Sequence, residues 1–293
     1  MSKILEVKKL TKYYGETLAV KDVSFDLNEG EVFGFIGPNG AGKSTTIRSI
    51  LNLINITSGE IKIFGKDFDE EDLDIRKRIG YLPGEVNLYE ELTVKEMLDF
   101  HEELYQEDLH ERRKELVKRL DLDEKKKIYK LSLGNLKKLG IVLAVMHSPK
   151  LLILDEPTSG LDPIMQREFF DIIREEKEKG TTILYSTHIL PEISKVCDRV
   201  GIIKNGRLLA IEPIKELQDK SLTFVTISSK DIKKIIKDLK IKEEPEDNTI
   251  TFKNTKDVDE LIKVLSKYDV DKLYIEPASI EDIFMHFYEQ EDK

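Results

Sequence analysis

The sequence predicts an α/β fold of two domains, and three observations support this prediction. The chain of 293 residues is about twice the usual length of a single domain. Short apolar runs of strand length alternate with segments in which apolar residues recur at helical spacing. A glycine-rich loop joins one of these strands to one of these helices near the N-terminus. We expect a first domain over residues 1–220 and a smaller α/β domain over residues 221–293.

The composition disfavours several classes of function. The chain carries 47 Lys and Arg against 57 Asp and Glu, a formal net charge of −10, and both predicted domains are acidic. Proteins bind a nucleic-acid backbone through basic surfaces, so we expect no nucleic-acid partner. Cys197 is the only cysteine, which excludes an intramolecular disulfide and fits a reducing compartment. No apolar run approaches the roughly 20 residues that cross a bilayer, so we expect any membrane role to require a partner.

The predicted first domain begins with strands and the glycine-rich loop. Alternating apolar residues between Leu5 and Leu27 predict short strands, and the run 31–36 is typical of a buried strand. After the loop, apolar residues recur at helical spacing as far as Ile54. The segment 59–65 is bounded by glycines and indicates a further strand.

The middle of this domain, about residues 90–150, is predicted to form a helical subdomain. Thr93 and Glu96 form a capping-box pattern, and the charged segment after them predicts one long helix that continues to Leu120. The α/β pattern then returns. Its predicted elements are a strand at 151–154, a helix from Asp162-Pro163 to Gly180, a strand at 181–186, and a hairpin at Asn205-Gly206.

Beyond Lys220 the sequence predicts alternating strands and helices. The predicted strands are 223–228, 249–253 and 272–276, and the predicted helices are 230–240, 256–268 and 279–290. Two roles for this domain remain open: a structural appendage that packs on the core, and a dimer-stabilising or regulatory element.

The glycine-rich loop matches the phosphate-loop pattern G-x-x-x-x-G-K-[ST] and has the strand and helix flanks which that motif requires. Its glycines allow successive backbone N–H groups to point at phosphate oxygens, and the helix N-terminus adds a favourable field. The residues expected to bind the nucleotide are Gly37, Pro38, Asn39, Gly40, Ala41, Gly42, Lys43, Ser44 and Thr45. We expect Lys43 to contact the β- and γ-phosphates and the Ser44 hydroxyl to bind Mg²⁺. The loop therefore predicts a site for a nucleoside triphosphate.

An acidic pair follows the apolar run 151–154. A strand that ends in a carboxylate can bring it beside the phosphate loop, so Asp155 is expected to bind Mg²⁺. Glu156 comes next and is expected to activate the attacking water as a general base. The predicted reaction is hydrolysis of the nucleotide.

Five ordered motifs now resemble those of ABC-type ATPases, the nucleotide-binding subunits of ATP-driven transporters. The segment Leu131-Ser-Leu-Gly-Asn135 is similar to the family signature Leu-Ser-Gly-Gly-Gln. Asp155-Glu-Pro-Thr-Ser-Gly-Leu-Asp162 and Tyr185-Ser-Thr-His188 follow it, and the similarity extends from about Val7 to Ala210. The resemblance implies a P-loop NTPase core of ABC type with antiparallel β and helical subdomains, and ATP and Mg²⁺ as cofactors.

The resemblance also implies roles for single residues. His188 would hydrogen-bond the γ-phosphate and orient the nucleophile, which makes it a catalytic residue beside Lys43 and Glu156. Tyr14 would stack on adenine; Tyr13 is the alternative stacker, and a structural strand aromatic is the other interpretation of Tyr14.

The resemblance further implies an assembly. In this family the signature of one subunit closes over the phosphate loop of another, so Ser132 and Gly134 would contact the γ-phosphate bound by a second copy, and Asp162 would end the loop that links the two sites. The chain has one copy of each motif, so the expected active state is a head-to-tail dimer with two ATP molecules.

The sequence departs from the family pattern at three places. Gly84 follows Tyr81-Leu-Pro where the family usually has Gln, and Glu85 is the nearest polar residue. Leu133 and Asn135 replace a Gly and the Gln of the signature. These variants, with Ser194-Lys-Val-Cys-Asp-Arg-Val200 and Glu276-Pro-Ala-Ser-Ile-Glu-Asp-Ile-Phe284, resemble the ABC-2 or drug-export branch, whose ATPases pair with separate membrane subunits.

The predicted function is therefore ATP hydrolysis at the cytoplasmic face of the membrane, which drives export through a separate permease. The first alternative is a non-transport ABC ATPase that acts on nucleic acid or the ribosome; such proteins usually carry a long coiled coil, a zinc module or tandem cassettes. The second is an ATP-binding regulator without turnover, which the presence of Glu156 and His188 disfavours. The sequence does not identify the transported substrate.

Overall fold

The computed structural model divides into two units, Met1–Ile214 and Lys215–Lys293, and it describes residues 2–67, 72–106, 108–219, 223–239, 241, 243–254 and 258–277. The division follows Ile214, whereas the sequence analysis has its domain boundary after residue 220. Among the described residues, no helix is both long and apolar enough to cross a membrane.

A six-stranded sheet organises the first unit. Its strands, in spatial order, are β10 (Arg207–Pro213), β9 (Arg199–Lys204), β3 (Val32–Ile36), β8 (Thr182–Thr187), β7 (Leu151–Asp155) and β6 (Ile79–Leu82). All neighbours pair in parallel except β10 and β9, which form the hairpin predicted at Asn205-Gly206. Strands β3 and β7 are buried along their whole length, as is typical of central parallel strands. Because these strands run in parallel, the ends of β3, β7 and β8 meet at one edge.

A second, antiparallel sheet shares its core with the first. Its strands, in spatial order, are β2 (Thr17–Asn28), β1 (Lys3–Tyr14), β4 (Ser58–Ile63) and β5 (Lys66–Asp67). Phe25 of β2 stacks on Phe33 and Phe35 of β3, with ring centroids 5.3 and 5.4 Å apart. The apolar faces of both sheets thus form one continuous core beneath the glycine-rich loop.

Helices flank these sheets. They are α1 (Lys43–Ile50), α2 (Leu73–Lys77), α3 (Val94–Tyr105), α4 (His110–Arg119), α5 (Leu133–Val145), α6 (Pro163–Glu178) and α7 (Leu190–Val196). Helix α8 (Ile214–Asp219) begins at the last residue of the first unit and otherwise belongs to the second. The capping box at the start of α3 is confirmed: Thr93 Oγ1 accepts from the Glu96 N–H at 3.1 Å, and Glu96 Oε2 accepts from the Thr93 N–H at 2.6 Å.

The prediction of one long helix from this cap to Leu120 is wrong. Helix α3 ends at Tyr105, the C-cap Gln106 has a left-handed backbone with φ 56°, and α4 begins at His110. A residue in that conformation cannot continue a right-handed helix, so the chain changes direction there.

The second unit contains the elements predicted between residues 223 and 276. Its described strands are β11 (Thr223–Ser228), β12 (Thr249–Asn254) and β13 (Lys272–Pro277), and its described helices after α8 are α9 (Ile232–Leu239) and α10 (Val258–Leu265). Strand β11 is central and antiparallel to both neighbours, and Val225 and Ile227 pack in a core with Ile235 and Leu261. The predicted helix 279–290 lies outside the described residues.

Candidate active site

The loop between β3 and α1 has a backbone path that only glycine permits at two points. A Cβ atom at Gly37 would be 2.3 Å from the carbonyl oxygen of Ile203. Gly42, directly before α1, has φ 105°, a conformation that side chains disfavour. The close approach of Gly37 to Ile203 holds the loop against β9. The N-terminus of α1 therefore lies at the edge of the sheet where the parallel strands end.

Lys43 lies at the centre of the site and is 6% exposed. Its Nζ atom donates to the carbonyl oxygens of Gly37 at 2.7 Å and Pro38 at 3.2 Å, and lies 3.3 Å from Glu156 Oε1. The ammonium group is therefore held by its own loop and by the proposed general base. Because the Lys43 side chain is already held in place, it can bind a nucleotide phosphate without a further loss of side-chain freedom.

Two carboxylates stand at the end of β7. Asp155 is buried, and its Oδ1 atom accepts a hydrogen bond from Ser186 Oγ of β8 at 3.0 Å. Glu156 has a left-handed backbone with φ 47°, and its Oε2 atom lies 2.9 Å from Nδ1 of His188. Because such a backbone is disfavoured for a residue with a side chain, the surrounding structure has to hold Glu156 in place. The fold thus brings Glu156 into contact with both Lys43 and His188, which are far from it in sequence.

A cleft of about 570 Å³ opens beside this cluster. The predicted residues that line it are Asn39, Gly40, Gly42, Lys43, Ser44, Thr45 and Glu156. The lining residues that were not predicted as binding residues are Thr17, Leu18, Ala19, Asn205 and Gly206. The first three begin β2, and the last two form the turn between β9 and β10. The Asn-Gly pair predicts that turn, but a turn pattern by itself does not indicate a binding site. The cleft carries both the phosphate loop and apolar strand surface.

The two tyrosines proposed as adenine stackers lie next to this cleft in the β1–β2 hairpin. Tyr13 pairs with Leu18 and Tyr14 with Thr17, and both partners line the cleft. Tyr13 is 39% and Tyr14 is 48% exposed, and Lys12 Nζ lies 5.0 Å from the Tyr14 ring centroid. Neither tyrosine lines the cleft itself, so the choice between them stays a prediction.

The signature segment lies away from the cleft of its own chain. Ser132 is exposed and caps α5, where its Oγ atom accepts from the Asn135 N–H at 3.3 Å. Gly134 lies against the loop that follows Glu156, because a Cβ there would be 2.8 Å from the Gly160 carbonyl oxygen. Neither Ser132 nor Gly134 lines the cleft, and Leu133 between them is 67% exposed. Within one chain the structure does not bring these residues to the phosphate loop.

The loop after β6 is contacted by a lysine of α5 that no sequence pattern indicates. Lys137 of α5 is 2% exposed, and its Nζ atom donates to the carbonyl oxygens of Pro83 at 3.1 Å and Gly84 at 2.9 Å. Burial lowers the pKa of Lys137 to about 8, against the opposing effect of the Asp155 and Glu156 charges. A buried cation thus holds the loop where the family usually has Gln.

The carboxylate nearest in sequence to that position belongs to Glu85. Glu85 is exposed, whereas a Cβ atom at Gly84 would come within 3.6 Å of Asp155 Oδ2. Gly84 is therefore a residue of this loop that lies beside the acidic end of β7.

Known proteins are similar to this chain in sequence. The profile of the ABC transporter family matches residues 20–159. The bacitracin transport ATP-binding protein BcrA of Bacillus licheniformis is 39% identical over 240 residues, which cover 80% of this chain and 78% of BcrA. This chain belongs to the ABC transporter ATP-binding proteins. The family predicted from the sequence motifs is thereby confirmed.

Two solved structures extend the comparison to the fold and the reaction. An ATP-binding subunit of an ABC transporter superposes with a TM-score of 0.68 at 31% identity, over 90% of this chain and 99% of that one. The dimeric ATP-binding cassette MJ0796, in a post-hydrolysis state with ADP and Pi, superposes with a TM-score of 0.65 at 26% identity, over 72% and 98%. The predicted ABC-type fold is confirmed, and the ABC subunit described here is an ATPase.

Proposed function

We propose that this ABC subunit hydrolyses Mg·ATP between two copies of the chain and so drives export through a separate permease at the cytoplasmic face of the membrane. The observation that carries the proposal is the contact of Glu156, which lines the cleft, with both Lys43 and His188. A carboxylate in that position can accept a proton from a water molecule that attacks the γ-phosphate. Lys43 would hold the phosphates, and His188 would orient Glu156 and the γ-phosphate.

Mg²⁺ would be held by the Ser44 hydroxyl and the Asp155 carboxylate. Mg²⁺ prefers such oxygen donors, and both residues belong to elements that meet at the same sheet edge, so the donor set fits the ion. When bound, the ion would offset negative charge on the β- and γ-phosphates. Ser186, which donates to Asp155 Oδ1, keeps this carboxylate oriented.

The signature residues support a dimer. Ser132 and Gly134 are remote from the cleft of their own chain but lie at the exposed N-terminus of α5, next to Leu133. We assign them to the cleft of a second copy, where their hydroxyl and backbone N–H groups would meet the γ-phosphate. The MJ0796 cassette, which is similar over nearly its whole length, is itself dimeric.

A small apolar patch on the helical subdomain is a candidate contact with the permease. Tyr89 and Phe100 are 66% and 41% exposed and touch edge to face, with centroids 6.2 Å apart. Leu104, one turn further along α3, is 53% exposed. Clustered apolar side chains on a surface mark contact sites more often than scattered ones.

Co-purification tests the transport proposal. A tagged chain expressed in its own host should bring down an integral membrane protein from detergent-solubilised membranes. The double variant Tyr89→Asp, Phe100→Asp should lose that protein and keep its basal ATPase rate, because neither residue touches the cleft. Recovery of ribosomes or DNA in place of a membrane protein would refute export and favour the non-transport alternative.

A further inference from the structure

A buried carboxylate lies directly behind the Glu156–His188 pair. Glu192 of α7 is 3% exposed. Its Oε1 atom accepts a hydrogen bond from Thr158 Oγ1 at 2.5 Å, and its Oε2 atom accepts from Tyr185 OH and from Thr187 Oγ1, both at 2.9 Å. Burial of a carboxylate is costly unless hydrogen bonds replace its water, and three hydroxyl groups do so here.

These hydroxyl groups belong to the segments that carry the site. Thr158 comes two residues after Glu156, and Thr187 comes immediately before His188. Thr187 Oγ1 also accepts from the Ile189 N–H at 3.0 Å, so this one hydroxyl group fixes the chain on both sides of His188. Glu192 therefore connects the loop after β7 to the end of β8.

The Glu156–His188 contact is more exposed than the hydrogen bonds of Glu192. The side chain of His188 is 47% exposed and that of Glu156 is 21% exposed, so solvent competes for their 2.9 Å contact. The Glu156 N–H donates to the Ser186 carbonyl oxygen at 3.0 Å, but its left-handed backbone still requires support from the residues that follow. Thr158 is the nearest of these residues that is anchored by a buried side-chain hydrogen bond.

We propose that Glu192 is a positioning residue that sets the distance between Glu156 and His188, and thereby the rate of ATP hydrolysis, without contact to the nucleotide. This inference rests on the roles proposed above for Glu156 and His188. Misplacement of a catalytic group by as little as an ångström lowers the rate of the chemical step far more than it lowers ground-state binding. Loss of Glu192 should consequently lower kcat and spare the affinity for ATP.

The first test is Glu192→Gln, measured for kcat, KM and ATP binding. The amide keeps the shape of the side chain, but its NH₂ group cannot accept the hydrogen bonds that one carboxylate oxygen accepts. We expect kcat to fall at least tenfold while KM and the Kd for ATP stay within about twofold of wild type. Thr158→Val should act in the same direction, and the double variant should lose little beyond the larger single loss, because both changes break one network. Thr158→Ser, which keeps the hydroxyl group, should restore most of the rate.

Glu176→Gln is the matched control. Glu176 of α6 is also completely buried, and its carboxylate pairs with Arg112 and Lys179 away from the cleft. This variant should lower the thermal midpoint yet keep kcat. A comparable loss of kcat in Glu176→Gln, or wild-type kcat in Glu192→Gln, would overturn the positioning role.

Glu156→Gln, assayed in parallel, separates the two levels of the proposal. If it abolishes hydrolysis while Glu192→Gln has no effect, only the positioning role is wrong. If Glu156→Gln itself hydrolyses ATP at the wild-type rate, the proposed general base is wrong and the role of Glu192 is refuted with it.

Discussion

At the scale of single residues, the proposed chemistry of this ATPase centres on Glu156. Its two carboxylate oxygens face different partners, Lys43 on one side and His188 on the other. The first contact links the proposed base to the residue that would hold the phosphates, and the second links it to the residue that would orient the attack. The proposed step therefore depends on one side chain that is held from both sides.

We expect Glu156→Gln to keep ATP binding and to lower hydrolysis at least about 100-fold, because the amide cannot accept a proton from water. Slow hydrolysis should trap the closed dimer, which size-exclusion chromatography with ATP and Mg²⁺ would detect. The residual ATPase rate and the elution volume are the two measurements. A variant that turns over as fast as wild type would contradict the assignment of the base.

We expect Lys43→Ala to weaken ATP binding roughly 10- to 100-fold, since hydrogen bonds to charged groups are each worth about 1.5–3 kcal/mol. The change also removes the ammonium donor from the Gly37 and Pro38 carbonyl oxygens, of which Pro38 keeps the Ala41 N–H at 3.1 Å. Titration with a fluorescent ATP analogue measures the Kd. Lys8→Ala, which removes an exposed lysine of β1, is the control that should bind normally. Unchanged affinity in Lys43→Ala would contradict the phosphate-loop assignment.

At the scale of the elements, the break between α3 and α4 allows ion pairs that the local sequence does not predict. Because the chain turns at Gln106, Arg112 and Arg119 of α4 form ion pairs with carboxylates of α6. Arg119 Nε donates to Glu168 at 2.6 Å, and its other nitrogens donate to Glu175 at 2.6 and 2.8 Å. A multidentate arginine is the strongest form of surface ion pair. The helical subdomain is thereby tied to the helix that follows the catalytic loop.

Asp162 has a clear role at the start of α6. Its Oδ1 atom accepts from the backbone N–H groups of Ile164 and Met165, each at 3.0 Å. We expect Asp162→Ala to lower the free energy of unfolding by about 1 kcal/mol, because the variant loses this N-cap. Urea unfolding followed by circular dichroism gives the value. Asp171→Ala, which removes an exposed i,i+3 ion pair of the same helix, should change stability much less. Equal losses in the two variants would show that the cap contributes no more than a surface charge.

For the whole molecule, two buried histidines predict how stability depends on pH. His147 stacks on Tyr105 of α3 with centroids 4.1 Å apart, and His101 lies 5.5 Å from His147. Burial lowers the pKa of each histidine from 6.5 to about 4, and the neighbouring His147 charge adds to this effect at His101. Between about pH 4 and pH 6.5 these two histidines bind more protons in the unfolded chain than in the folded one. Their contribution to stability is therefore present above about pH 6.5 and is lost as the pH falls towards 4.

We expect His147→Phe, which retains the aromatic ring, to lose less stability than wild type between pH 7 and pH 5. The difference should be about 2 kcal/mol, the linkage value for one such histidine at pH 5. Urea midpoints at the two pH values measure it, and acidic side chains common to both proteins cancel. The exposed His110 is the control site, and His110→Gln should follow the wild-type curve. A His147→Phe variant as acid-sensitive as wild type would contradict the pKa shift.

The sequence alone determined the features that depend on contiguous residues. The phosphate loop 37–45, the caps at Thr93 and Asp162, and the hairpin at Asn205-Gly206 are each made by residues within a few positions of one another. Their backbone geometry and hydrogen bonds are local, so residue type and spacing were sufficient. The order of the motifs then identified the ABC family and the acidic pair at the end of β7.

Tertiary structure decided the features that depend on strand order and packing. Glu192 contacts Thr158, which lies 34 residues earlier in the chain, and Lys137 contacts Gly84, which lies 53 residues earlier. No local spacing pattern predicts either contact. Tyr13 and Tyr14 follow irregularities in the β1–β2 register, which makes the alternation of strand faces an unreliable guide there. Hydrogen bonds to a buried carboxylate or ammonium form only after the sheet has assembled around them. For that reason the sequence could predict which groups are catalytic, whereas only the folded chain reveals what holds those groups in position.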